Sequence, residues 1–353
     1  MDRSPSIKTT RNSKIDISSG KSSRFKYAVA NCQGWRSTQE DAHLIICNFE
    51  ENTSLFAVFD GHNGPEVAKF AAKYFPKHLT RNMNYRQGNI QRGLQEAFMA
   101  LDELLLTKEG NDVLLHFREK SAYKSTKPIE INETSHPLSY FTGSTAVLLL
   151  IKNDIYYCAN VGDSRCIICR DRKPKQLSKD HNPDLIEERE RIEKAGGIVV
   201  NGRINKAINV SRSLGDHWYK RNLKLNQKQQ MIIAWPHINV EKIQQEDEFF
   251  VLICDGIWNS INNQDLIEFI SKRIDHDDLS NVCHDVIKRI LSPTPSTDQI
   301  VSKDNMTIMI VKRFSFDSNN KFDPSTSNVR ISSSIIQSHC SHRNNLNCRK
   351  FKN

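Results

Sequence analysis

Short apolar runs, each closed by Gly, Asp or Asn, alternate in blocks with longer stretches whose apolar residues recur every three or four positions. Residues 55–59, 145–151, 155–161, 166–169, 249–254 and 306–311 are β-prone runs of the first kind. Lys152-Asn153-Asp154 joins the second and third and predicts a hairpin. Helical spacing predicts helices over 65–74, 89–107, 183–195, 264–273 and 280–291. Pro65 suits a first helical turn, and Gly196-Gly197 closes the third helix. The second helix carries Leu94, Ala97, Phe98, Leu101, Leu104 and Leu105 on one face. Strand runs that follow one another, with helices set apart from them, predict an α+β fold built on antiparallel sheets. Residues 108–140 carry little pattern and read as a surface insertion. Residues 1–24 read as a disordered basic arm, and 315–353 as a flexible Ser/Asn-rich basic tail.

Composition adds little to this division. The chain has 353 residues, 38% apolar and 26% charged, which is ample for a core with polar ends. Its net charge of +9 is weighted toward the ends: the last 25 residues hold three Arg and two Lys and no acid. Solvated tails explain that bias better than a nucleic-acid site. An aromatic-studded basic face is missing outside the tails, so no specific nucleic-acid partner is expected. No run approaches the ~20 apolar residues of a membrane span. No secretory leader, myristoylation or prenylation signal is expected. Nine scattered Cys form no framework, so reduced thiols in the cytoplasm or nucleus are expected. Cys166 and Cys169 lack a partner pair at zinc spacing and read as core thiols. His339, Cys340, His342 and Cys348 in the tail are a weak metal candidate. Ser19-Gly20-Lys21-Ser22 resembles the end of a phosphate-binding loop but lacks its earlier Gly and strand, and no Gly-x-Ser-x-Gly elbow occurs.

The candidate chemistry lies at strand ends. Asp60 and Asp255 each follow an apolar run and precede a Gly; Asp163 follows another, Asp304 precedes the last, and Glu40-Asp41 follow Arg36. A lone Asp-Gly is most often a turn. Carboxylates gathered at one mouth repel one another unless a cation neutralises them. All-oxygen ligands suit Mg²⁺ or Mn²⁺ rather than zinc, and a pair of such ions can activate water for in-line displacement.

Seven motifs stand in one order. They are Gly34-Trp35-Arg36-Ser37-Thr38-Gln39-Glu40-Asp41, Asp60-Gly61-His62-Asn63-Gly64, Gly143-Ser144-Thr145-Ala146 and Asn160-Val161-Gly162-Asp163-Ser164-Arg165. Ser211-Arg212-Ser213-Leu214-Gly215-Asp216, Cys254-Asp255-Gly256-Ile257-Trp258-Asn259 and Lys303-Asp304-Asn305-Met306-Thr307 complete the set. Over residues 25–314 the chain resembles the metal-dependent Ser/Thr protein phosphatases of type 2C. The resemblance implies a four-layer α-β-β-α sandwich, two antiparallel sheets flanked by helices, with two metals at one end. It implies that Asp60 bridges both ions, that Asp255 and Asp304 complete the first, and that Glu40 and the Gly61 carbonyl serve the second. Arg36 would hold the phosphate and His62 would protonate the leaving oxygen, while water attacks without a covalent intermediate. Phosphoserine and phosphothreonine proteins would be the partners, with no membrane association and a monomeric enzyme.

Three residues depart from the family pattern. Asn259 stands where a second aspartate is frequent; with Asp163 that residue would hold a weak third ion, so this site is expected to be weakened. Lys206 stands where glycine is usual, beside a mobile flap, and reads as a tolerated surface lysine. Ser213 replaces a frequent Ala and is expected to be harmless. A catalytically silent binding module on the same fold is the competing reading. The intact set Arg36, Glu40, Asp60, His62, Asp255 and Asp304 argues against it. Ser4-Pro5 and Ser332 to Ser334 in the tails are candidate phosphorylation or targeting elements.

Overall fold

The computed structural model describes residues 12–120, 136–291 and 302–314. Two antiparallel sheets face each other. The first has six strands in the order Asn12–Lys21, Phe25–Gly34, Met306–Arg313, Asp247–Ile253, Arg165–Arg170 and Lys173–Gln176. The second has five, in the order His237–Lys242, Ile155–Val161, Ala146–Lys152, Thr53–Phe59 and Ala42–Glu50. The Lys152-Asn153-Asp154 hairpin forms as expected, with Lys152 opposite Ile155 and Asn153 at φ 53°.

Alternation along the central strands builds the layers. Phe56 and Val58 point into the core between the sheets, with Val147, Leu149 and Ile151. Leu55, Ala57 and Phe59, on the opposite face, pack with Leu148 and Leu150 under the helices Glu66–Arg81 and Ile90–Leu104. Every residue of Thr53–Phe59 is therefore buried, which is why Leu55 to Phe59 reads as a continuous apolar run. The helices Asn263–Ser271 and Leu279–Ile290 cover the six-stranded sheet through Leu266, Ile270, Val282 and Val286. The result is the α-β-β-α sandwich that the resemblance implies.

Two stretches differ from expectation. Within the N-terminal arm, Asn12–Lys21 is an edge strand paired with Phe25–Gly34. It is mostly exposed, with only Ile15 packing on the core, so it lacks the periodic apolar signal of an inner strand. Within 108–140, Lys108–Glu119 is a helix capped by Thr107 and anchored by buried Leu114 and Phe117. The helix Glu66–Arg81 also runs through Pro76, where the expected one stopped short. The tail 315–353 and its His/Cys group, like Ser4-Pro5, lie outside the described residues. Among those described, no helix is long and apolar enough to cross a membrane.

A buried ionic brace ties the helix Ile90–Leu104 to the loop after Ser211. Asp102 accepts from Lys220 Nζ at 2.9 Å and from the Gly215 N–H at 2.8 Å, with His217 Nε2 3.4 Å away. Burial works against ionisation, but Lys220 and His217 outweigh it and hold the Asp102 carboxyl down to about 2. A depressed carboxylate gives stability that is present above its unfolded value and lost as pH falls through the folded one. Wild type should therefore lose about 2 kcal/mol of this contribution between roughly pH 4 and 2. In urea melts, the stability gap between wild type and Asp102→Asn should be large at pH 6 and narrow toward pH 2. A gap independent of pH would show that the carboxylate charge carries none of it.

Candidate active site

The ends of both sheets open into one cleft of about 1030 Å³. Its walls bring together all eight residues singled out from the sequence: Arg36, Glu40, Asp60, Gly61, His62, Asp163, Asp255 and Asp304. Asp60 continues the strand Thr53–Phe59, Asp163 stands two residues beyond Ile155–Val161, and Asp304 two before Met306–Arg313. Asp255 opens a one-turn helix after the strand Asp247–Ile253. Gly61 is required by close approach: a Cβ there would lie 2.5 Å from the Glu40 carbonyl oxygen.

These carboxyl groups repel ionisation collectively. Burial, then the charges of Asp41, Asp255, Asp163 and Asp304, push Asp60 well above the usual carboxylate range. Burial with Asp255 and Asp180 raises Asp163 to about 7, and burial with Asp304 raises Asp255. Glu40 is raised by burial even though it accepts from the Gly64 N–H at 3.0 Å and the Thr38 hydroxyl at 2.8 Å. A cation would reverse each of these penalties.

Asp41, named among the candidate carboxylates but given no ligand role, belongs to the same cluster. Its Oδ2 accepts from Thr307 at 2.6 Å, while its buried Oδ1 has no hydrogen-bond partner among the described residues. Burial, with Asp255 and Asp304, raises it to about 7. Ligand atoms of Asp41, Asp60 and Cys254 lie within 4.8 Å of one another. Burial and the neighbouring carboxylates push the Cys254 thiol well up, and the other two groups offer oxygen donors. Oxygen donors of this kind suit a hard divalent cation.

The two non-metal candidates flank this cluster. Arg36 Nη2 pairs with Asp304 Oδ2 at 2.5 Å, and the Arg36 side chain, 62% exposed, lines the cleft. His62 Nε2 lies 2.7 Å from Asp216 Oδ2. Burial would lower the imidazole's pKa, but the Asp216 carboxylate outweighs it and raises it. Asp216 sits at φ 52°, a left-handed backbone, and accepts also from the Ser213 hydroxyl at 2.5 Å. Ser213 thus has a polar partner that alanine would lack.

The remaining departures also have a place. Asn259 Nδ2 points to Asp255 Oδ2 at 3.3 Å. Lys206 is exposed at φ 63° in the flap formed by Val199–Val200 and Arg203–Ile204, a conformation that glycine adopts freely. Arg203, Ile208 and Asn209 of that flap wall the cleft. Cys166 and Cys169 are buried, free thiols, as expected.

Residues 25–299 match the family model described as Protein phosphatase 2C. The chain is 38% identical over 298 residues to a probable protein phosphatase 2C 4 of Paramecium tetraurelia, covering 83% of this chain and 93% of that one. It is 37% identical over 314 residues to a probable protein phosphatase 2C 21 of Arabidopsis thaliana, covering 83% and 88%. Its fold is similar to the crystal structure of a phosphatase from a pathogenic strain of Toxoplasma gondii. That match has a TM-score of 0.66 at 22% identity over 85% of this chain and 96% of the other.

Proposed function

Since the chain belongs to the protein phosphatase 2C family and is a protein serine/threonine phosphatase of that metal-dependent group, we propose that two divalent cations, Mg²⁺ or Mn²⁺, occupy its carboxylate cleft. Asp60 would bridge them, with Asp255 and Asp304 on one side and Glu40 and the Gly61 carbonyl on the other. The observation that carries this reading is the buried carboxylate cluster, whose charges oppose one another in one cleft with Arg36 and His62. Bound cations would lower the pKa of a water and stabilise the charge of in-line displacement at phosphorus.

The chain's own residues would do the rest. Arg36 orients the phosphate through N–H groups not engaged by Asp304. His62, kept protonated by Asp216, gives its proton to the departing serine or threonine oxygen. Asp216, held by Ser213, keeps the imidazole aimed. Asp163 would contribute to a weak third ion, and an amide at Asn259 bonded to Asp255 supports a weakened one. The free thiols of the described cysteines favour a reducing setting, cytoplasmic or nuclear, where the enzyme would act as a monomer.

The test is phosphate release from a phosphothreonine peptide. Release should require Mn²⁺ or Mg²⁺ and stop with chelator. A folded protein that releases none with either ion would overturn the two-cation reading.

A further inference from the structure

A second, smaller cavity of about 280 Å³ shares a wall with the catalytic cleft. Trp218 and Tyr219 line both. They lie on the short turn His217–Tyr219 that follows Asp216, a segment braced from below by Lys220 on Asp102. The Trp218 ring, 38% exposed, lies 5.9 Å from the Phe141 ring in the main cleft. On the side of the smaller cavity, the Arg221 guanidinium carbon lies 3.4 Å from the Trp218 ring centroid. Stacking of this kind fixes a guanidinium while leaving its N–H edge open to a bidentate acceptor.

The amide side chains of this cavity are already engaged. The Gln230 amide donates to the Asn222 and Leu225 carbonyls and accepts from the Asn222 N–H. The Asn222 amide donates to the Ala195 carbonyl. Arg221 pairs with no carboxylate among the described residues, and no acidic residue lines the cavity. Asn205 also lines it, and Lys206 follows Asn205 in the chain. A fixed cation facing a space with no anion, next to the site that receives a phosphoprotein, calls for an anion supplied by the substrate.

We propose that this cavity is a specificity subsite taking an acidic side chain, Asp or Glu, that flanks the phosphorylated residue of the substrate and pairs with Arg221. The inference rests on the phosphatase reading of the adjoining cleft and names the class of sequence that cleft prefers.

The test compares phosphothreonine peptides of one sequence, with Glu in place of Gln moved one position at a time along both flanks. The full-length enzyme is assayed with Mn²⁺, and p-nitrophenyl phosphate is the flank-free control. Glu at one flanking position should raise kcat/KM roughly five-fold, mainly through KM, as suits a charge-assisted bond partly screened by solvent. Arg221→Gln should erase that gain, and Arg221→Glu should transfer the preference to Lys at the same position. Both variants should hydrolyse p-nitrophenyl phosphate as wild type does. A gain that survives Arg221→Gln, or none at any position in wild type, overturns the subsite while leaving the phosphatase intact. Absence of hydrolysis of every substrate by folded wild type overturns the phosphatase reading and the subsite together.

Discussion

Asp60→Asn is expected to lower metal-dependent kcat/KM on a phosphothreonine peptide by at least about a thousand-fold, because it removes the carboxylate proposed to serve both cations. The same substitution should stabilise the metal-free protein. Burial and four neighbouring carboxylates push the Asp60 carboxyl well up, so above its unfolded value the charged form is a liability of the empty cluster. A neutral amide of the same shape removes that liability and should raise the metal-free melting temperature by roughly 2–4 °C for each kcal/mol relieved. Added Mn²⁺ should then raise the melting temperature of wild type and leave that of the variant nearly unchanged. Paired melts with chelator and with Mn²⁺ check this without any turnover. A variant as active as wild type, or one stabilised by Mn²⁺ to the same extent, would remove Asp60 from the centre of the site.

How much of this was legible in the sequence depended on burial. Strands covered on both faces, such as Thr53–Phe59 and Ala146–Lys152, announce themselves through unbroken apolar runs. The edge strand Asn12–Lys21 escaped notice because a strand with one unpaired side and a wet face can be written in Ser, Lys and Asp. The helix Lys108–Glu119 escaped because Leu114 and Phe117 are its few buried anchors among charged residues. Its start was readable in principle, since Thr107 caps it. The metal candidates could be named from the sequence because each stands within a motif and the aspartates among them lie at the ends of predicted strands. Asp41 and Asp216 stood in quoted motifs without a role. Their partners, Thr307 and His62, lie 266 and 154 positions away, and only the closed sandwich brings them together. The signal available for Asp216 was weak: a non-glycine residue after Gly215 that the turn forces into a left-handed backbone.

Asp216 therefore carries the second large prediction. An alkoxide leaves poorly, so a proton must reach the serine or threonine oxygen as the phosphorus–oxygen bond breaks, and His62 can supply it only while charged. Asp216, 2.7 Å away, is the foremost of the carboxylates that raise its pKa against the pull of burial. Asp216→Asn retains the shape but loses the charge, and should lower kcat on phosphothreonine peptides by roughly a hundred-fold with little change in KM. The loss should nearly vanish for p-nitrophenyl phosphate, whose phenolate leaves without a proton. A merely structural role would depress both substrates alike, so the ratio of the two is the deciding measurement. The direction with pH follows from the same pair. A raised imidazole keeps its proton to higher pH, so loss of the carboxylate should move the alkaline fall of peptide activity to lower pH. Ser213→Ala, which removes one hydrogen bond to the same carboxylate oxygen, should act in the same direction with a much smaller effect. Equal losses on both substrates, or an alkaline limb that stays in place, would return Asp216 to the role of a turn residue.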